Sequence, residues 1–218
     1  KHIEEKHMNK EIKKYINNNI LPLYENNDES HSLSHINNVI NYSLQLGKEY
    51  NLDEDILYTI SAYHDIGVSK NRNMHEIISA DYFYKDKFLK SKFSEEERQI
   101  IYEAILDHRA SGKSEPRSIY GKIVATADRQ FESFEVALER TYKYLASNYP
   151  EKSIEEICDL IYKDFNNRYG KCGYVKVYAN EEEFTKKLKP IKKLLLNKNK
   201  FIEKTKIVLN NRGLIYGK

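Results

Sequence analysis

Residues 57–67 read Leu57-Tyr58-Thr59-Ile60-Ser61-Ala62-Tyr63-His64-Asp65-Ile66-Gly67. Leu57, Ile60, Ser61 and His64 follow the i, i+3, i+4, i+7 spacing of one helix face, and Asp65 stands about 100° round from His64 because each helical residue turns through that angle. The spacing predicts a helix over about 53–65 that ends at Gly67, the residue type favoured where a helix turns off through the left-handed region. Its last turn places a histidine and an aspartate beside the apolar stripe. Burying a polar group without a partner costs about 1–3 kcal/mol, and an unpaired carboxylate considerably more, so this pair demands company.

Four neighbouring segments repeat the pattern. His35, Val39, Tyr42 and Leu46 share a face of a helix over about 31–46, with Ser30 as N-cap and Gly47 as its stop. His75, Ile78, Ser79 and Tyr82 line up over about 75–89. Ile101, Ala104, Ile105 and His108 line up on a helix opened by a capping box, Ser94 with Glu97. Gly121, Val124, Ala125 and Asp128 line up over about 118–130, where small residues let another helix or a ligand come close; this helix continues or kinks into 131–145. Taken singly, each histidine is an ordinary core or surface residue. Taken together, His35, His64, Asp65, His75, His108 and Asp128 arrive from five helices, and a divalent cation would satisfy them all. Imidazoles with two carboxylates and no thiolate suit Mn, Fe, Co, Ni or Zn, with Mg also admitted.

The rest of the chain supplies the frame. An opening helix over about 3–20 stops near Pro22, and Ser153 with Glu156 opens a later one closed by Gly170. Tyr174 to Tyr178 alternates with period two and reads as one short extended piece. Residues 181–218 carry 11 Lys/Arg against 4 Asp/Glu, and read as an amphipathic helix packing through Phe184, Leu188, Ile191 and Leu195 with a solvated lysine face. With only 8 Gly and 4 Pro in 218 residues, breakers fall between helical stretches. The expected class is all-α: a helical metal-binding domain over 1–145 and a basic helical extension, 146–218, packed on it.

Composition narrows the partners. There are 36 Lys+Arg against 33 Asp+Glu, a net charge of +3, far from the concentrated basicity of a nucleic-acid binder. No apolar run approaches the roughly 20 residues of a membrane span. Cys158 and Cys172 build neither a disulfide framework nor a zinc spacing, and the first residues lack the layout of a signal peptide, so a reducing cytoplasm is expected.

His35, then His64-Asp65 within Ala62-Tyr63-His64-Asp65-Ile66-Gly67, then Asp128 within Ala125-Thr126-Ala127-Asp128, resemble the H…HD…D signature of the HD-domain phosphohydrolase superfamily over about residues 30–135. The lead-in Ser30-His31-Ser32-Leu33-Ser34-His35 is similar to the start of that motif in small bacterial members. His75 and the run Asp107-His108-Arg109-Ala110-Ser111-Gly112-Lys113 resemble the two extra histidines of dinuclear members such as symmetrical dinucleoside tetraphosphate hydrolases. Val68 and Ser69 intervene before Lys70, no threonine follows His108, and the Gly-Tyr-Pro motif of cyclic-dinucleotide phosphodiesterases is absent, so neither substrate carries over.

The resemblance implies a site for one or two metal ions, in which His35, His64, Asp65 and Asp128 hold the first, while in the two-ion case Asp65 bridges to a second held by His75 and His108. Metal-activated water then attacks phosphorus in a small, nucleotide-like phosphorylated substrate. Asp65, His64, Lys70 and Arg109 are the candidate catalytic residues, and Lys70, Arg109, Lys113 and Arg129 the candidate phosphate-binding ones. His31, one turn before His35, either orients a ligand or stands exposed. Homo-oligomerisation is left open. Two other readings share the residues: a di-iron oxygenase of the inositol oxygenase type, and a non-catalytic helical module with a structural metal.

Overall fold

The computed structural model describes residues 8–27, 31–112, 114–130 and 133–215. Among these residues all regular structure is helical, as expected. The chain divides into two compact units, Lys1–Arg129 with Val177–Ala179, and Gln130–Lys176 with Asn180–Lys218. No helix is long and apolar enough to cross a membrane among the described residues.

In the first unit, α1 (Lys10–Asn19) runs into a 3-10 turn (Leu21–Asn26), followed by α2 (Leu33–Glu49), α3 (Glu54–Tyr63), α4 (His75–Lys85), α5 (Lys87–Lys90), α6 (Glu95–Asp107) and α7 (Ile119–Asp128). Side-chain caps set the starts: Asn9, Asp53 and Ser118 each accept from backbone amides of the following turn, and Ser94 with Glu97 closes the expected capping box. The helix α3 is buried from Asp55 to Tyr63 and packs on α1, α2, α6 and α7, so it forms the centre. Ile36, Val39 and Leu46 of α2, Leu57 and Ile60 of α3, Ile101 and Ile105 of α6, and Ile123 and Val124 of α7 build the core around it. α7 packs closely on α6 at Gly121, where a Cβ would meet the Ala104 Cα in ordinary contact at 3.5 Å and the Pro116 Cβ more tightly at 3.1 Å. That approach brings the ends carrying His108 and Asp128 to the same place.

Two local expectations are corrected. Gly67 does not occupy the left-handed region; a Cβ at this position would meet the His75 carbonyl at 2.6 Å and the Ile78 Cβ at 2.9 Å. Close passage of the turn beneath α4, and not backbone freedom, is what requires glycine. The helix over 75–89 is broken at Asp86, whose Oδ1 accepts from the Phe88 and Leu89 amides and caps α5. Its Oδ2 accepts from the Tyr15 and Tyr63 hydroxyls, each at 2.7 Å. A short acidic side chain offering the backbone these alternatives wins over continued helix.

The second unit comprises α8 (Phe134–Asn148), α9 (Ile154–Tyr169), α10 (Glu181–Leu195) and α11 (Lys198–Asn211). Ser133 caps α8 as a separate helix, so α7 does not run on into it, and the division between units falls after Arg129, ahead of the 145 boundary read from the sequence. Ser153 and Glu156 form the expected capping box of α9. Phe134, Phe165 and Phe201 meet with centroids 5.5–5.9 Å apart at the centre of this unit. Phe184, Leu188, Ile191 and Leu195 are buried on α10, as their spacing implies. The basic tail is two helices, because Asn197 interrupts it and accepts from the Lys200 amide to start α11. Tyr174 to Tyr178 forms no strand. Ser30 and residues 3–7 of the opening helix lie outside the described residues.

Asp86→Ala removes the α5 cap and strips the acceptor from two tyrosine hydroxyls, so urea denaturation should show a loss of about 2–4 kcal/mol; a midpoint within error of the parent would contradict this role. Burial pushes the Cys158 thiol up to about 11, whereas Cys172 is exposed. At pH 8 a disulfide-exchange reagent should therefore titrate one thiol in the native protein and two in denaturant, since thiolate is the reactive form.

Candidate metal centre

The six residues singled out by the helical stripes sit at or near helix ends. His64 is the C-cap of α3 and Asp65 follows it; His108 is the C-cap of α6; Asp128 closes α7; His75 opens α4; His35 lies in the first turn of α2. Ligand atoms of His35, His64, Asp65 and Asp128 all lie within 4.8 Å of one another, as do those of Asp65, His75 and His108. Asp65 belongs to both groups. Its Oδ2 lies 3.4 Å from the His64 Nε2, and its Oδ1 lies 3.3 Å from the Nε2 of both His75 and His108. The His35 Nε2 stands 3.0 Å from the Asp128 Oδ1.

Backbone carbonyls three residues upstream hold three of the rings. The Nδ1 of His64 meets the Ser61 carbonyl at 2.7 Å, that of His75 the Arg72 carbonyl at 2.8 Å, and that of His108 the Ile105 carbonyl at 2.6 Å. A carbonyl can only accept, so Nδ1 carries the hydrogen, and each ring in its neutral form turns an Nε2 lone pair inward. The consequence is sharpest between His75 and His108, whose Nε2 atoms are 3.1 Å apart. Two lone pairs facing at that distance repel unless a proton or a metal ion lies between them. The His64 Nε2 is likewise buried with no hydrogen-bond partner. Inward nitrogen lone pairs, a shared carboxylate and no thiolate fit one or two divalent cations of borderline character.

The electrostatics agree. Burial raises the Asp65 carboxyl, but His64 and His108 outweigh it and hold it well below the usual carboxylate range. Asp128 shows the same balance, with His35 and His64 opposing burial. Burial pulls the His64 imidazole down, yet Asp65 and Asp128 drive it well above its ordinary value. His75 moves the other way, lowered by burial and by the neighbouring His108 despite Asp65. Both carboxylates therefore stay ionised, and positive charge is drawn to the space between them.

Residues the sequence reading did not single out hold the 64–69 turn. The Tyr24 hydroxyl donates to the Ala62 carbonyl at 3.0 Å and accepts from the Asp65 amide at 3.3 Å. Asn27 donates to the Asp65 carbonyl and accepts from the Ser69 amide, both at 3.0 Å. The Ser79 hydroxyl accepts from the Gly67 amide at 3.0 Å. Glu76 was also missed: its carboxylate lies 3.4 Å from the His75 Nδ1 and 3.0 Å from the Arg109 guanidinium, and burial, which raises its pKa, is outweighed by a hydrogen bond from its own backbone amide and by Arg109. Its position beside His75 looked like an ordinary first-turn acid.

The cationic candidates separate. Arg109 is fixed by Glu76, the Asn73 carbonyl at 2.8 Å and the Ser111 hydroxyl at 3.1 Å. Arg129 is buried, and its guanidinium donates to the His108 carbonyl at 2.9 Å and faces the Tyr178 ring at 5.4 Å. The sequence reading places this arginine among the phosphate-binding candidates; in the structure it is buried against protein groups. Lys70 is exposed over the Tyr82 ring, and Lys113 lies outside the described residues. His31 reaches to 4.0 Å from the Asp65 Oδ2.

Residues 32–130 match the family described as HD domain. The chain is also similar to a solved structure, a predicted HD superfamily hydrolase from an uncultured Thermotogales bacterium, with 19% identity and a TM-score of 0.51 over 71% of this chain and 91% of that one. That likeness is one of fold. No curated protein matches the chain.

Gly67→Ala should drive a methyl into the His75 carbonyl, costing about 1–3 kcal/mol in urea denaturation and lowering the metal content of the purified protein. Gly121→Ala, whose nearest atoms would lie at 3.1 and 3.5 Å, should be milder on both counts.

Proposed function

We propose, for a chain whose residues 32–130 belong to the HD domain family, a metal-dependent phosphohydrolase cleaving a phosphomonoester, phosphodiester or phosphoanhydride of a small, nucleotide-like substrate. The observation that carries this reading is the divided carboxylate of Asp65, one oxygen toward His64 and the other toward His75 and His108. In this reading His35, His64, Asp65 and Asp128 hold one divalent ion, and Asp65, His75 and His108 hold a second. Such ions, when bound, supply an acidified water and Lewis-acid neutralisation of phosphoryl charge.

The protein's own contribution is orientation. Three Nδ1–H to carbonyl hydrogen bonds fix tautomer and ring plane, so the donors are set before any ion arrives and little reorganisation is needed. Exposure defines the side from which substrate reaches them. The side chains of His64, Asp65 and His108 are 0, 4 and 2% exposed, whereas Asp128 is 20%, Glu76 17% and His75 11% exposed. Substrate therefore approaches along the edge bearing Asp128 and His75. Arg109, about one-third exposed and anchored through Glu76, stands on that edge with a fork suited to phosphate oxygens. Lys70 and Lys113 are the further candidates for this role.

Metal analysis of the purified protein, followed by a panel of aryl phosphates, nucleotides and dinucleoside polyphosphates with Mn, Fe, Co, Ni, Zn and Mg, tests the reading. Hydrolysis should vanish with a chelator, return with metal and need no oxygen. Asp65→Ala should lose both ions and lower kcat/KM by about a hundredfold or more while keeping its helical circular dichroism. Unchanged turnover in that variant would exclude the site. Iron-dependent oxygen consumption without phosphate release would replace hydrolase with oxygenase.

A further inference from the structure

Arg129 is an arginine of the wrong kind for a substrate. It is only 6% exposed, and its position at the C-cap of α7 follows directly on Asp128. The His108 carbonyl that receives its guanidinium is the C-cap carbonyl of α6. Helix ends leave such carbonyls without intrahelical partners and concentrate partial negative charge there. Arg129 thus spans two helix ends, one carrying His108 and the other Asp128. His108 belongs to the three-residue group and Asp128 to the four-residue group.

The guanidinium is itself held in place. Val177–Ala179 belongs to the first compact unit although the residues flanking it in sequence do not. Within it, the Tyr178 amide donates to the Thr126 hydroxyl at 2.9 Å, Ala179 is buried in the core, and the Tyr178 ring receives both Arg129 at 5.4 Å and Lys122 at 5.8 Å. A tyrosine face attracts a cation and does so more strongly when the pair is withdrawn from water. The ring and the His108 carbonyl therefore hold the buried charge between them.

We infer that Arg129, clamped by Tyr178, is a positioning residue that sets the separation between the two ligand groups and thereby the affinity of the ion held by Asp65, His75 and His108. The inference rests on the proposed two-ion reading and reaches beyond it by assigning the second ion's affinity to residues outside the ligand set. The effect passes from the guanidinium to the His108 carbonyl. His108's ring is already fixed to Ile105, so a shift of its backbone moves its Nε2 as well.

The test is metal stoichiometry and affinity, read by mass spectrometry and by Mn2+ titration calorimetry on the full chain, and not by activity. Arg129→Met and Tyr178→Ala should each retain one ion at parental affinity and bind the second about ten- to a hundredfold more weakly, the range seen when groups supporting metal ligands are removed. Tyr178→Phe keeps the ring face and should restore two ions, which a general packing defect would not explain. Should Arg129→Met fail to fold, Tyr178→Ala, at a half-buried position, still decides the matter. Two ions at parental affinity in folded Tyr178→Ala would overturn the inference alone, leaving the phosphohydrolase reading intact. Loss of both ions together would also overturn it, since the clamp would then serve the whole unit. A parental protein that binds no divalent ion would overturn both.

Discussion

Asp65 and Asp128 bring two ionised carboxylates to one point of a helical core, and the arrangement of the first unit follows from keeping them compensated. The idealised cost of moving a single such ion into a medium of low dielectric is of order 20 kcal/mol, and several kcal/mol persist after relaxation. Three inward imidazoles around Asp65 and a fourth on Asp128 answer that cost only in part. Neutral rings whose Nδ1 hydrogens are committed to carbonyls have no hydrogen left to give. The same hydrogen bonds that make the rings rigid also make them poor donors and good ligands.

Helix polarity adds to this. The C-terminal ends of α3, α6 and α7 all deliver residues to the site, and such ends carry partial negative charge. Carboxylates would not ordinarily be placed at three converging C-termini, because each end disfavours them. A cation between them would be attracted by each of these ends and by both carboxylates, offsetting their mutual repulsion. Close packing of the turn at Gly67 beneath His75 is a structural condition for it.

Much of this was legible in the sequence because burial imposes periodicity. His64 and Asp65 could be read as inward from Leu57, Ile60 and Ser61, and the same argument placed His35, His75, His108 and Asp128. The capping boxes at Ser94 and Ser153 were legible for a similar reason, since both partners lie within one turn. What escaped was whatever depends on residues distant in sequence. Asp86 breaks its helix by capping amides two and three residues on, and the tyrosines that hold its other oxygen, Tyr15 and Tyr63, lie 71 and 23 residues away. Asn27 lies 38 residues from the carbonyl of Asp65 that it binds. Gly67 was marked correctly as necessary but for the wrong reason, because the clash that demands it comes from α4.

The two arginines next to ligands show where sequence adjacency misleads. Arg109 follows His108 and Arg129 follows Asp128, and in the chain they look equivalent. Arg109 leaves the helix end toward solvent, and its partner Glu76 is itself part of the exposed edge. Arg129 turns inward, where its guanidinium donates to a helix-end carbonyl and faces an aromatic ring. Burial thus separates two side chains that chain order presents as equivalent: one is about a third exposed beside a carboxylate, and the other is closed in by a carbonyl and a ring.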